Sequence, residues 1–171
     1  MPPLPQFNAP QATAPGDFSW FVYGSTLDFD AFKEWCGQHG YRMPDLATVK
    51  PAKLSGWRLC FNVRSNFWGG VVASLVPQDG AHVEGVFIPL PADSLGFVHH
   101  KEGVNSGLFE ERTVVCEVEG ATRDCRVYVA AASRVVPETA PAPRFLATIA
   151  KGARERGLSK EWIASLEKLA T

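Results

Sequence analysis

The sequence lacks most of the signatures that assign a function on sight. It has no basic tract: 17 Lys and Arg stand against 18 Asp and Glu, for a formal net charge of −1. Without excess cations to neutralise phosphates, nucleic acid is not expected as a partner. No apolar run approaches the roughly 20 residues that a spanning helix needs, so no membrane partner is expected. The first residues do not show the basic-then-apolar order of a secretory signal, which points to a cytoplasmic protein. No Gly-Lys-Ser/Thr follows a glycine turn, so there is no P-loop, and Ser25 does not sit in a G-x-S-x-G elbow.

Cysteine and histidine are scarce as well. The four cysteines, Cys36, Cys60, Cys116 and Cys125, form no C-x-x-C. Each lies in an apolar or strand-like setting, where a buried free thiol is the expectation. A bridge from Cys116 to Cys125 across a hairpin is the alternative. His99 and His100 are adjacent, and adjacent helical residues point different ways. His39 and His82 have no ligand spacing around them. No metal and no cofactor is therefore expected.

What is present is apolar: 46% hydrophobic residues against 20% charged, over a length that suits one domain with one core. Residues 1–16 are proline- and alanine-rich without a period and predict a flexible N-terminal arm. Residues 17–171 are expected to form a single domain. Phe18, Trp20 and Val22 alternate as in a strand. Phe29, Phe32, Trp35 and Cys36 then form a helical stripe ending at Gly40. Residues 42–56 read as a long connection.

Three strands are predicted in "WRLCFN", "GGVVASLV" and "HVEGVFIPL", with "PQDGA" as a hairpin turn between the last two. "PADSLGFVHHKEG" predicts a short helix capped by Asp93 or Ser94. Residues 109–130 predict a hairpin turning across Gly120-Ala121-Thr122. Two helices follow the Pro-Ala linker. The first carries Phe145, Leu146, Ile149, Ala150 and Ala153. The second, capped by Ser159, carries Trp162, Ile163, Leu166 and Leu169. Strands that follow one another without helical crossovers imply an α+β class with a mostly antiparallel sheet or barrel.

Three places offer chemistry. In "FVYGSTL" a strand breaks at Tyr23 and Gly24 and restarts as a helix. The amides of Gly24, Ser25, Thr26 and Leu27 either form a capped turn or converge as a nest for carboxylate or phosphate. Leu95, Val98 and Glu102 share a helical face, so Glu102 either points to an apolar interior and titrates high, as a general base needs, or is solvated where the helix frays. Tyr128 lies on the strand face opposite Cys125, Val127 and Val129. It is either a half-exposed sheet tyrosine or a buried hydroxyl seeking a carboxylate. The Gly69-Gly70 pair marks a bulge or close packing.

These segments resemble, in order and spacing, a known family. "FVYGSTL" resembles the "YGSNL" signature of gamma-glutamylcyclotransferases and their AIG2-like relatives. "FWGGVVASL", "EGVNSGLF", "CRVYVA" and the two-helix tail "PAPRFLATIAKGARERGLSKEW" are similar to later segments of that family, so the resemblance runs from about residue 18 to the end. It implies a small, mostly antiparallel β-barrel flanked by helices, acting as a monomer or homodimer. It also implies an enzyme for small-molecule gamma-glutamyl substrates. The substrate's α-amine attacks its own γ-carbonyl, and 5-oxoproline and a free amine or amino acid leave.

On this resemblance Glu102 and Tyr128 would be catalytic. Tyr23, Gly24, Ser25, Thr26, Leu27, Gly70 and Phe109 would bind substrate. Thr26 stands where asparagine is typical, Phe109 where tyrosine is common, and the usual Leu-Asp before Glu-Gly is missing. These departures bear on substrate more than on reaction. They leave open a cyclotransferase that deprotects gamma-glutamylated biosynthetic intermediates, and a non-catalytic small-molecule-binding relative.

Overall fold

Phe18–Val22 forms β1, as its alternation predicts. Trp20 on one face and Phe21 on the other are both buried. The helix after it, α1 (Phe29–His39), starts where the Asp28 carboxylate accepts from the amides of Asp30 and Ala31. It stops where Gly40 takes the left-handed conformation that glycine alone adopts without cost. The computed structural model describes residues 16–170, so the arm expected over residues 1–16 lies, except for Gly16, outside the described residues.

Two long strands replace the three predicted in the middle of the chain. β2 spans Lys50–Ser65 and β3 spans Gly70–Leu90. The connection expected over 42–56 therefore ends earlier, at Lys50. "PQDGA" is not a hairpin turn. Ser55 pairs with His82 and Trp57 with Pro77, so both flanks of the segment pair with β2 in one continuing antiparallel direction. The extra residues bulge out of β3, with Gln78, Asp79 and Gly80 exposed. The real reversal is the turn over residues 66–69, which turn chemistry at Asn66 and Gly69 serves equally well.

α2 (Leu95–Lys101) follows, then β4 (Phe109–Val118) and β5 (Ala121–Ala130). The β4–β5 reversal is tighter than expected: it falls on Glu119 and Gly120, both at positive φ, since Val118 already pairs with Ala121. The strands close a barrel in the order β1-β3-β2-β4-β5. Every pairing is antiparallel except β1 with β5, which meet in parallel at Trp20 and Arg126. This is the α+β fold expected, a small mostly antiparallel barrel flanked by helices.

α3 (Pro143–Glu155) and α4 (Lys160–Lys168) complete the chain. The predicted stripe of α3 is buried in full. In α4, Leu166 is buried, whereas Leu169 lies past the last helical turn and is exposed. α3 crosses the Ser25–Leu27 turn at Gly152. A Cβ there would sit 2.4 Å from the Leu27 carbonyl carbon and 2.5 Å from the Asp28 nitrogen, so only glycine permits this contact. Lys151 beside it binds Asp28 at 2.7 Å, Asp30 at 3.1 Å and Glu155 at 3.0 Å, so these three carboxylates already share an ammonium. All four cysteines are buried free thiols, and no bridge joins Cys116 to Cys125. Among the described residues no helix is long and apolar enough to cross a membrane.

Candidate active site

The break between β1 and α1 opens a cleft of about 680 Å³. Tyr23, Gly24, Ser25 and Thr26 form one wall, and Glu102 and Phe109 lie on others. The turn is a single 3-10 turn over Ser25–Leu27, in which the Leu27 amide donates to the Gly24 carbonyl at 3.0 Å. The Leu27 amide is thus spent within the turn, and the Leu27 side chain is in the core. Gly24 has no side chain, so what it shows to the cleft is main chain. Its nearest neighbour on the missing-Cβ side is Phe145 at 3.8 Å, an ordinary contact.

Glu102 caps α2. Its Oε1 accepts from the Trp20 indole at 2.9 Å, so β1 positions both the carboxylate and the turn. Burial pushes the Glu102 carboxyl from its ordinary 4.5 up to about 7, with Lys101 and the Trp20 bond pulling the other way. The side chain retains partial accessibility because the cleft reaches it. A carboxyl that titrates near neutrality in a cleft can both accept and return a proton.

Tyr23 donates its hydroxyl to the Tyr128 carbonyl. Burial, followed by the charge of Glu102, raises its pKa well above the ordinary 10, so it stays a neutral donor. Tyr128 is fully buried although it lies on the off-phase face of β5. α2 covers that face, with the His99 ring 5.7 Å from the Tyr128 ring. The Tyr128 hydroxyl donates to Glu111, its partner in the β4–β5 register, at 3.0 Å. Glu111 also binds Arg126 at 2.9 Å and His99 at 3.1 Å. Burial alone would raise Glu111, but those three hydrogen bonds outweigh it and hold its pKa low. The Tyr128 main chain thus holds the Tyr23 hydroxyl, while the Tyr128 hydroxyl bonds Glu111 across the β4–β5 pair.

Gly70 packs elsewhere. A Cβ there would meet Ala142 at 3.1 Å, which makes it a close-packing glycine at the start of β3. Leu27, Gly70 and Tyr128 are not among the residues that line the cleft; Tyr23, Gly24, Ser25, Thr26, Glu102 and Phe109 are. His99 and His100 diverge, the first to Glu111 and the second to Tyr41 at 2.9 Å. Sequence reasoning passed over Trp20 as a core residue. Its signal was the indole N–H, which a buried tryptophan must satisfy.

A fold and cleft of this kind have known counterparts. The model of the AIG2-like family matches residues 82–166, a span that holds Glu102, Tyr128, all of α3 and most of α4. The gamma-glutamylcyclotransferase of Homo sapiens is 29% identical over 161 residues, covering 89% of this chain and 78% of that protein. That of Bos taurus is 29% identical over 157 residues with the same coverage. A solved gamma-glutamyl cyclotransferase superposes with a TM-score of 0.74 at 24% identity, over 88% of this chain and 86% of its own. YkqA from Bacillus subtilis superposes with a TM-score of 0.75 at 25% identity, over 90% of this chain and 54% of its own. Sequence and fold agree in showing homology to the AIG2-like and gamma-glutamylcyclotransferase superfamily, and that homology supports a cyclotransferase-like enzymatic reaction as the general class.

Proposed function

We propose that the protein converts a gamma-glutamyl amide into 5-oxoproline and a free amine or amino acid, with Glu102 as the proton carrier. The observation that carries this reading is one carboxyl, raised to about 7, in the same cleft as the Gly24–Thr26 turn. The substrate supplies its own nucleophile, which explains why no activated serine or cysteine is needed. Its α-amine nitrogen bonds to the γ-carbon, and Glu102 accepts the proton that the nitrogen sheds. The amide bond to the leaving nitrogen then breaks, and Glu102 returns the proton to that nitrogen. Atoms and charge balance without water or a cofactor.

Ring closure within one bound molecule gains chiefly from orientation. The cleft wall at Tyr23–Thr26 would hold the folded substrate, and the main chain of Gly24 would face either its carboxylate or the developing oxyanion. Trp20 positions Glu102, and Tyr128 positions Tyr23. The test is a mass-spectrometric screen of gamma-glutamyl peptides and amines for 5-oxoproline release. Turnover that falls at least a hundredfold in Glu102→Gln is expected, within the range for loss of a general base. Unchanged turnover in that variant overturns the assignment.

A further inference from the structure

We propose that Lys101 is the anion receptor of this cleft and that its ligand is a carboxylate of the bound substrate. The nature of the ligand rests on the reaction proposed above; the receptor itself rests on placement. Lys101 ends α2 beside Glu102 and lines the same cleft. Its Nζ lies 5.1 Å over the centroid of the Trp35 ring, on α1.

Among the described residues no carboxylate forms an ion pair with Lys101, and no oxygen accepts a hydrogen bond from it. The contrast is with Lys50 and Lys151, which reach carboxylates at 2.7 Å. Three N–H donors are therefore left to an aromatic face and the cleft. Lys101 is half-buried, and this burial pulls its pKa below the ordinary value, with the charges of Glu102 and Cys36 offsetting it only in part.

A shielded ammonium without an acceptor is costly, and a lysine that served only the fold would have been given a partner. Glu102 does not fill that role. Its charge raises the Lys101 pKa, but no ion pair joins the two, and its Oε1 accepts from Trp20. The other charged or titratable groups on the cleft are Tyr23 after β1, Glu34 and His39 of α1, His100 of α2 and Arg144 of α3. None of them pairs with Lys101.

A carboxylate matches the ammonium in charge and supplies acceptors for its N–H groups. A gamma-glutamyl amide carries one on its glutamyl half, and a second when the leaving amine is an amino acid. Capture of the glutamyl carboxylate would leave the Gly24 main chain to the carbonyl oxygen. Capture of the other would make Lys101 the residue that selects amino acids over plain amines.

Calorimetry on the full chain separates these sources. The probes are 5-oxoproline against 5-oxoprolinamide, and phenylalanine against phenylalaninamide. At least one acid is expected to bind tenfold or more tightly than its amide. That preference should fall to within twofold in Lys101→Met and return in part in Lys101→Arg. The pair that responds identifies the carboxylate. The Met variant should melt no lower than the parent, because it removes a charge that its neighbours offset only in part and keeps the packing of the stem. No acid preference in the parent, a preference that survives Lys101→Met, or a lower Tm in that variant overturns the receptor. Absence of 5-oxoproline release from every gamma-glutamyl compound, with the carboxylate preference intact, overturns the reaction and leaves the receptor standing.

Discussion

Glu102 joins opposed demands in one side chain. Its folded pKa of about 7 lies above the ordinary 4.5, so folding disfavours the ionised form. The cost is absent below pH 4.5, grows as the pH rises to about 7 and stays constant above it. The full gap amounts to about 3 kcal/mol at 1.36 kcal/mol per unit. Glu102→Gln should therefore be more stable than the parent at pH 8, by up to that amount, and equal to it at pH 4. Urea melts at the two pH values check this.

The same carboxyl governs the rate. As a base it must be ionised, so kcat/KM should rise with pH through a midpoint near 7. Trp20 and Lys101 both hold that midpoint down. Trp20→Phe removes the indole donor, and the midpoint should move to higher pH. A pH–rate profile reads the shift; an unmoved midpoint would show that the Trp20 bond does not tune the carboxyl.

At the scale of elements, the contact of α3 with the turn is the sharpest dependence. Gly152→Ala would drive a Cβ to 2.4 Å from main-chain atoms of Leu27, which have no rotamer to escape by. The expected loss is about 3 kcal/mol, at the upper end of overpacking, together with weaker substrate binding because the turn must shift. Gly24→Ala is the control. Its Cβ meets only Phe145 at 3.8 Å, so stability should hold while KM rises. Equal Tm losses in the two variants would show that the cleft wall is not pinned by α3.

Elements also mark where the linear code was readable. β1, α1, α3 and α4 were legible because each has a strong apolar period, and the helices carry local boundary signals: Asp28 at the start and Gly40 at the end of α1, Pro143 at the start of α3, Ser159 at the start of α4. β3 was not, because "PQDGA" has the composition of a reversal. Composition does not reveal that both flanks pair with the same strand. The phase of Tyr128 left two readings open, and α2, distant in sequence, decides between them by covering that face: the hydroxyl is buried and bonds the Glu111 carboxylate.

For the whole molecule, barrel closure brings β1 against β5 and so joins the two ends of the site. Cys60, Cys116 and Cys125 lie on the barrel's strands, and they and Cys36 of α1 are all buried. A thiol titration should therefore find none of the four reactive in the native protein and all four after denaturation. Four reactive thiols only after added reductant would mean that a disulfide is present.

The sequence by itself determined the class of fold, the apolar periods of the helices with the Ser159 cap of α4, the glycine turn, and Glu102 as the carboxyl to watch; the Asp93 or Ser94 cap expected for α2 makes no side-chain hydrogen bond. Each feature so determined is written in residues no more than a few positions apart. Only the tertiary structure decided what surrounds them. The indole that holds Glu102 lies 82 residues away, and the carbonyl that seats Tyr23 lies 105 residues away. Whether Lys101 has a counter-ion is likewise settled by which distant side chains the closed barrel brings near it. A carboxyl's pKa is set by the atoms packed around it, and a periodicity of two or 3.6 carries no record of those.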